Sequence, residues 1–309
     1  MTSCLLLKGP DRILAVSDGR LAVSETQVSF DTVEKIRRFT PRYKIPRVSV
    51  GRYSHMDTMV EHDCFLAYAG TYALVSQITE RFIRAVSGDL FLVRGDQWVP
   101  QLADDFRRSG YFDDSYNFDQ VELPKMAPRI LVDELLAAAE SVGAEWSANG
   151  RRPDCEFLLF GPDPEDRRYF ALKISPDGGW FQPGDRVSFR VSRVEDGVVA
   201  SIGSSEVTAA VAADADLQKG ALGWRTDQTE IDIHNVFAEM DLGEMRRTPA
   251  REPLPRAPAE ENWRSDEVKD SFIRLMTSAE DKFVGGNFTI ASASQRSREF
   301  TSRIVTVSG

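Results

Sequence analysis

The residues best suited to chemistry stand at the start of the chain, where Thr2 follows the initiator Met1. Methionine is generally removed before a residue as small as threonine, and its removal would give Thr2 a free α-amine beside its hydroxyl. A threonine hydroxyl needs a base to become a nucleophile, and an α-amine with a pKa of about 8 is a base of suitable strength. Thr2 is therefore a candidate N-terminal nucleophile, although on its own it is more simply an ordinary second residue of a frayed terminus.

Three charged residues downstream could assist such a nucleophile. Asp18 ends an apolar run, Arg20 follows it after one residue, and Lys35 opens a basic and apolar stretch over 35–39. A lysine beside the hydroxyl and the amine of Thr2 would lower the proton affinity of both groups. Asp18 would hold this lysine charged and oriented.

Short strands must position these residues. Two apolar runs, 4–7 and 13–16, flank the turn residues 9–11, and this pattern predicts a β-hairpin that carries Asp18 at its end. The alternation of apolar and polar residues over 21–29 predicts one further strand.

In this combination the chain resembles the β-subunits of the proteasome and HslV family, the N-terminal-nucleophile (Ntn) threonine peptidases. In that family the mature chain begins with Thr, an Asp-x-Arg sequence ends the second strand, and a Lys opens a Lys-Val/Leu-Arg-type run. Thr2, Asp18, Arg20 and Lys35 fall on these positions, with one residue inserted before the lysine relative to HslV. The resemblance implies an α+β fold, the Ntn-hydrolase αββα sandwich, in which two antiparallel sheets lie between two layers of helices.

A junction between a strand and a helix provides the next candidate site. The apolar stretch 64–70 runs through Gly70 into a helix that we expect to continue to about Val86. The first amides of a helix have no internal partner, so the backbone at such a junction can receive an anion. On the residues alone, a tight strand-to-helix turn is an equally good interpretation. The resemblance assigns the oxyanion-hole amide to Gly70 and the mouth of the specificity pocket to Tyr68, whose large side chain would narrow the pocket.

Two later segments match the family less completely. The resemblance gives Ser204 the role of supporting the terminal amine, but Ser205 stands where the family usually has Gly. Asp281 matches the Asp of a family Asp-x-x-Ser-Gly-Gly sequence, whereas Val284 stands where its Ser should be. Without that Ser the network around the amine loses one hydrogen-bond acceptor, so the substitution argues for weakened activity. On its own, Asp281 could simply cap a helix end.

Periodic patterns supply the remaining elements of such a sandwich. Apolar residues at helical spacing predict helices over 131–142 and 266–283. Two strands, 155–160 and 169–174, are joined by a turn rich in glycine and proline. The family has corresponding elements at each of these places.

We predict one Ntn-hydrolase domain over 1–309, with two insertions relative to the family. The segment at about 40–63 is polar and is expected to form a surface insertion or an extended hairpin. The segment at about 214–265 is rich in proline and charged residues, a composition typical of a flexible linker. It is either an inert surface loop or a segment that docks a partner or guards the chamber.

The composition of the chain excludes several other classes of protein. Its 309 residues are 42% hydrophobic and 28% charged, enough to bury a sizeable core, and its net charge of -10 argues against a nucleic-acid-binding surface. No apolar run approaches the ~20 residues of a membrane span, and no signal-peptide pattern opens the chain, so we expect a soluble cytoplasmic protein. Cys4, Cys64 and Cys155 are too few and too scattered for a disulfide framework or a zinc knuckle, and we expect them in the core.

We predict no metal and no cofactor. His55 and His62 stand near three carboxylates, but their spacing matches neither a helical i, i+4 pair nor a compact metal-binding loop.

The resulting hypothesis is a threonine peptidase that acts on peptides or unfolded proteins, and the resemblance implies a homo-oligomeric ring that encloses its active sites. The chain contains no Gly-x-x-x-x-Gly-Lys-Ser/Thr sequence of its own, so the existence of an ATPase partner stays open. Two alternatives also stay open. One is an Ntn amidase that acts on a small amide, and the other is a degenerate member that serves as a scaffold or binding ring, for which Val284 is the evidence.

Overall fold

The computed structural model describes most of the chain in separate stretches, and all the elements below lie within them. These are residues 3–24, 27–30, 32–49, 52–94, 100–103, 125–151, 153–166, 168–177, 187–225, 265–278, 284–296 and 299–307. The strands are β1 (Ser3–Lys8), β2 (Arg12–Asp18), β3 (Leu21–Ser24), β4 (Gln27–Phe30), β5 (Ile36–Phe39), β6 (Arg42–Ser49), β7 (Arg52–Val60), β8 (Cys64–Gly70), β9 (Phe91–Arg94), β10 (Pro100–Ala103), β11 (Cys155–Pro162), β12 (Tyr169–Pro176), β13 (Phe189–Arg193), β14 (Val199–Gly203), β15 (Phe288–Arg296) and β16 (Glu299–Val307). The helices are α1 (Tyr72–Arg84), α2 (Pro128–Ala148), α3 (Ser205–Ala213), α4 (Ala215–Leu222) and α5 (Ser265–Ser278), with a π-helical turn at Ala85–Asp89 and a 3-10 turn at Gly223–Arg225.

The predicted hairpin over residues 3–18 forms the centre of the first sheet. Strands β1 and β2 pair antiparallel, and the sheet order is β14-β1-β2-β15-β16. Both outer neighbours of the hairpin, β14 and β15, come from much later in the chain. Strand β1 is buried on both faces, because Cys4 and Leu6 point to one side of the sheet and Leu5 and Leu7 to the other.

The second sheet has the order β13-β12-β11-β8-β5, and all its pairs are antiparallel. Its apolar inner face packs on the inner face of the first sheet. The residues buried between the sheets include Cys4, Leu6, Ile13, Ala15, Ile36, Phe65, Ala67, Leu158, Phe160, Tyr169 and Ala291. This inner core explains why the central strands are continuous apolar runs: each is covered on both faces.

Helices cover both outer faces of the sandwich. Helices α1 and α2 pack on the second sheet, and the predicted stripe of α1, Leu74, Ile78 and Phe82, is buried there. Helices α3, α4 and α5 pack on the first sheet. The layer order is therefore helix, sheet, sheet, helix, which confirms the predicted αββα architecture. No helix in the described stretches is long and apolar enough to cross a membrane.

A smaller third sheet, in the order β10-β9-β6-β7, extends from the outer helix layer of the second sheet. Strands β6 and β7 pair residues 42–49 with residues 52–60, within the segment expected to be an insertion. Tyr43 and Ile45 anchor this pair of strands, since both side chains are buried in the cluster that contains α1 and α2.

The single strand predicted over 21–29 is wrong. Strands β3 and β4 fold back on each other instead, and Ser24 pairs with Gln27 across a two-residue connection. Alternation of apolar and polar residues is the same in a short hairpin as in one long strand, so the pattern could not distinguish them.

The start of the segment predicted as a linker is helical, which corrects that prediction. The side chain of Asp214 accepts a hydrogen bond from the Leu217 amide at 2.8 Å and so caps α4. Leu217, Ala221 and Trp224 are buried in the core beneath the first sheet. The remainder of that segment, 226–264, lies outside the described residues.

Candidate active site

Asp18 is the acceptor around which the described part of the site is built. It is the last residue of β2, and its side chain is completely buried. Its Oδ1 accepts a hydrogen bond from the amide of Ser3 at 2.6 Å, and its Oδ2 accepts one from the amide of Arg20 at 3.3 Å. The carboxylate therefore fixes the beginning of β1 against the end of β2.

Lys35 is the buried cation of the same site. Its Nζ lies 3.1 Å from Asp18 Oδ2, its side chain is 1% exposed, and it also donates to the backbone oxygen of Arg20. Burial lowers the pKa of Lys35, against the opposing effect of the Asp18 carboxylate. Burial likewise raises the pKa of Asp18, although Lys35 and the amides of Ser3 and Arg20 oppose the increase. The structure thus brings together the two charged residues that the sequence placed in one site.

Arg20 connects this pair to a distant loop. One guanidinium nitrogen of Arg20, Nη1, donates to the backbone oxygen of Val284 at 3.4 Å. A Cβ on the next residue, Gly285, would lie 3.2 Å from the Arg20 guanidinium carbon, so the absence of a side chain allows this close approach. The side chain of Val284 itself is buried in the apolar cluster below the first sheet. Val284 therefore contributes its carbonyl oxygen to Arg20 and its side chain to the core.

Gly70 ends β8 in a backbone conformation that requires glycine. Its φ is +118°, and a Cβ at this position would overlap the backbone oxygen of Asp154. The Tyr68 amide donates to the backbone oxygen of Lys35 at 3.1 Å, whereas the Thr71 amide donates to Asp154 on the opposite side at 2.9 Å. Because amides alternate in direction along a strand, the N–H of Gly70 points to the side on which Lys35 lies.

Tyr68 is buried rather than open to solvent. Its side chain is 4% exposed and packs with the core residues of α1, and its hydroxyl donates to the backbone oxygen of Glu34 at 2.8 Å. Burial raises the pKa of Tyr68 to about 12. The Tyr68 hydroxyl is therefore bonded to the residue that directly precedes Lys35. The role of Tyr68 in a specificity pocket stays a prediction.

Ser204 lies at the edge of the same site. Ser3, the first residue of β1, pairs with Gly203, so Ser204 follows directly after that pair. Ser204 is buried and is the N-cap of α3, where its hydroxyl accepts a hydrogen bond from the Val207 amide at 3.4 Å. Its role toward an amine stays a prediction.

Two of the predicted site residues, Thr2 and Asp281, lie outside the described residues. Cys4 is the nearest thiol to the ion pair, and burial raises its pKa far above the usual value, so it stays protonated and poorly nucleophilic. All three cysteines are free and buried, as predicted. Among the described residues, no cluster of His, Cys, Asp and Glu has a metal-binding arrangement.

Sequence reasoning missed a second charged pair near the site, Glu156 and Lys173. Glu156 Oε2 accepts a hydrogen bond from the Gly203 amide at 2.7 Å, and Lys173 Nζ donates to the backbone oxygen of Ser201 at 2.8 Å. A signal was present, because Glu156 stands two residues before Leu158, on the inward face of an otherwise apolar strand.

The described elements form the αββα sandwich of the Ntn-hydrolase fold, and comparison with solved structures supports this fold. The (Gly-1) mutant of Anbu from Hyphomicrobium sp. strain MC1 superposes with a TM-score of 0.51 at 10% identity, over 100% of this chain and 87% of that chain. Anbu from Yersinia bercovieri, described as an ancestral beta-subunit, gives 0.51 at 11% identity over 99% and 87%. The helical assembly of the Anbu complex from Pseudomonas aeruginosa gives 0.50 at 12% identity over 99% and 86%.

These similarities establish the fold alone, since all three identities are low. No family model matches the sequence, and no curated protein matches it significantly.

Proposed function

We propose that this chain is a threonine-type peptidase, in which removal of Met1 exposes Thr2 as an N-terminal nucleophile. The proposal rests on one observation above all. The amide of Ser3, the residue that follows Thr2, is bonded to Asp18, and Asp18 in turn holds the buried ammonium of Lys35. A cation is therefore held close to the point at which the Thr2 hydroxyl and amine would have to lie.

In the proposed reaction the Thr2 hydroxyl oxygen attacks the carbonyl carbon of a peptide bond while the α-amine takes the hydroxyl proton. The tetrahedral intermediate collapses as its C–N bond breaks, and the proton passes from the α-ammonium to the leaving amine. This leaves an acyl ester on Thr2. Water then attacks the ester with the same amine as base, which releases the acid and restores Thr2.

Lys35 and Gly70 have separate roles in this scheme. The charge of Lys35 lowers the proton affinity of the Thr2 hydroxyl, which favours its deprotonation. The Gly70 amide, directed to the Lys35 side of β8, is proposed to donate to the negative oxygen of the tetrahedral intermediate. Preorganised backbone donors are effective in such a position because they need no rearrangement as the charge develops.

Ser204 and Asp281 are proposed to bond to the α-amine. Extension of the Ser3–Gly203 register by one residue would place Thr2 opposite Ser204. Arg20 would act indirectly, because its bond to the Val284 oxygen ties the loop after Asp281 to the strand end that carries Asp18.

We also propose that the chain forms a homo-oligomer. The Pseudomonas aeruginosa Anbu structure is a helical assembly, and by extension this chain would form a ring or helix of identical subunits that encloses the nucleophiles.

One observation favours a second candidate, a proteasome-like scaffold with little activity. The side chain at 284 is apolar and buried in the core, so it provides no acceptor for the amine. In this case Asp18 and Lys35 would only tie β1 to β2.

Intact and N-terminal peptide mass spectrometry of the purified protein tests the proposal. The protein is measured with and without an epoxyketone or a β-lactone that forms an adduct with an N-terminal Thr. Thr2→Ala is the matched variant, and fluorogenic peptides are compared with small acyl amides as substrates. Loss of Met1 together with an adduct on Thr2 that is absent from the Thr2→Ala variant supports the peptidase.

Two results would overturn it. Retention of Met1 on the folded protein would put the amine on the wrong residue and favour the scaffold. Adduct formation with turnover of small amides alone would instead indicate an amidase.

A further inference from the structure

We infer that Glu156 is a positioning residue that holds the two sheets together at the active-site end. This inference rests on the proposed function, because the parts it connects are the two halves of that site. Glu156 lies on β11 of the second sheet, and the proposed scheme gives its side chain no step in the reaction.

The contact made by Glu156 crosses from one sheet to the other. Its Oε2 accepts a hydrogen bond at 2.7 Å from the amide of Gly203, which ends β14 of the first sheet. The residue before Glu156 is Cys155, the register partner of Gly70. A single carboxylate therefore connects the strand pair that carries Gly70 with the strand end that leads into Ser204.

Lys173 supplies a parallel connection one step along the same edge. Its Nζ donates to the backbone oxygen of Ser201 at 2.8 Å and lies 3.7 Å from Glu156 Oε1. The side chain of Glu156 is 28% exposed and that of Lys173 is 33% exposed, so solvent reaches the pair. Each side chain nevertheless makes a charge-assisted hydrogen bond to the backbone of β14. Together they satisfy a backbone donor and a backbone acceptor of β14, the last strand of its sheet among the residues that the structure describes.

The position of Gly203 explains why this connection matters for the site. Gly203 pairs with Ser3 on one side, and the next residue is Ser204. A shift of Gly203 would therefore move both the start of β1 and the residue proposed to bond to the amine. Misplacement of a reacting group by about 1 Å can lower a rate by about a hundredfold.

Protection of an edge strand is the simpler explanation for the same contacts. Charged side chains on an exposed edge prevent pairing with other chains. Edge protection alone predicts more aggregation after mutation, with unchanged turnover by the molecules that stay in solution. The positioning role predicts a lower rate per folded molecule.

The test compares Glu156→Ala, Glu156→Gln and a control, Glu195→Gln, which removes an exposed carboxylate before the same strand. Peptide-resolved hydrogen exchange over 199–204 reports the Gly203 amide directly. Steady-state cleavage of a fluorogenic peptide by the full oligomer reports kcat and KM. Urea unfolding shows that each variant is folded, and Lys173→Met replaces Glu156→Ala if that variant does not fold.

We expect exchange at 199–204 to accelerate in Glu156→Ala, and kcat to fall about tenfold with little change in KM, because geometry and not substrate binding is altered. Glu156→Gln keeps an acceptor oxygen and should recover most of both properties. Unchanged exchange in Glu156→Ala, or a normal kcat with faster exchange, would overturn the inference. If the wild-type protein forms no Thr2 adduct, the proposed function has failed, and the exchange measurement alone then decides whether the connection exists.

Discussion

The carboxylate of Asp18 and the ammonium of Lys35 lie 3.1 Å apart, with side chains 0% and 1% exposed. Removing both charges from water costs several kcal/mol per ion, roughly, and their attraction compensates only when further hydrogen bonds are made. Those bonds are present, since Asp18 accepts two backbone amides and Lys35 donates to the Arg20 oxygen. An arrangement this costly is retained more readily where it serves chemistry than where it serves stability alone.

Removal of one partner should be more harmful than removal of both. Lys35→Met leaves the Asp18 carboxylate buried and uncompensated, so the free energy of unfolding should fall by about 3 to 5 kcal/mol. The double variant Asp18→Asn/Lys35→Met should recover a large part of this loss. Urea unfolding of the wild type, Lys35→Met, Asp18→Asn and the double variant measures these losses. If the losses of the two single variants simply add in the double variant, the pair is not coupled. Under the proposed function, both variants should lose at least about a hundredfold in kcat.

The same pair predicts how stability depends on pH. Because the pKa of Asp18 is raised, the folded state keeps a proton that the unfolded chain releases above about pH 4. This contribution to stability is lost as the pH rises through the folded-state pKa of Asp18. Because the pKa of Lys35 is lowered, the folded state releases a proton that the unfolded chain keeps up to about pH 10. Stability is therefore gained as the pH rises above the folded-state pKa of Lys35.

The comparison is the free energy of unfolding of the wild type relative to that of the Asp18→Asn/Lys35→Met variant. This difference should be lowest between about pH 4 and about pH 10 and should rise toward both of these values. Urea titrations at a series of pH values provide the comparison. A maximum at neutral pH would show that attraction between the charges outweighs their burial.

Gly70→Ala should be far more destabilising than a matched change at Gly150. Both glycines have positive φ, +118° and +71°, so alanine costs about 1 to 2 kcal/mol in backbone strain at either site. Only at Gly70 would the new Cβ also overlap the Asp154 oxygen, whereas nothing lies within 4 Å at Gly150. Thermal unfolding of both variants separates strain from overlap, and equal losses would show that the Gly70 turn relaxes without cost.

Val284→Ser should not restore activity. The side chain at this position is 6% exposed and packs in the apolar core, so the serine hydroxyl would be buried among apolar groups. We expect a loss of about 2 kcal/mol in the free energy of unfolding and no increase in kcat. Val284→Ala is the control for lost apolar contact. A higher kcat in the serine variant alone would mean that the hydroxyl reaches the amine after all.

The sequence was sufficient where a pattern had one physical interpretation. The apolar runs of residues 3–18 predicted the central hairpin, and the stripe of α1 predicted the buried face of that helix. The pairing of Asp18 with Lys35 followed from their charges and from the family resemblance, and the ion pair is present.

It was insufficient where the outcome depended on contacts between distant parts of the chain. The inward position of Glu156 on an apolar strand marks the residue as unusual, but it does not indicate that the partner would be the Gly203 amide of the other sheet. Composition suggested a linker after Asp214 because prolines and charges dominate the later part of that segment. The helix α4 forms because Leu217 and Ala221 pack in the core below the first sheet, a tertiary effect that local composition does not contain.

Strands β14 and β15 flank the hairpin of β1 and β2, so the first sheet cannot form completely until both have been synthesised. Strands β1 and β2 leave the ribosome well before the strands that flank them, which are formed by residues 199–203 and 288–296. Until those residues emerge, both edges of an apolar hairpin are unpaired and able to associate with other nascent chains. Contacts of such long sequence separation also form slowly. We therefore expect that chaperones must shield the nascent chain until β14 and β15 have been translated.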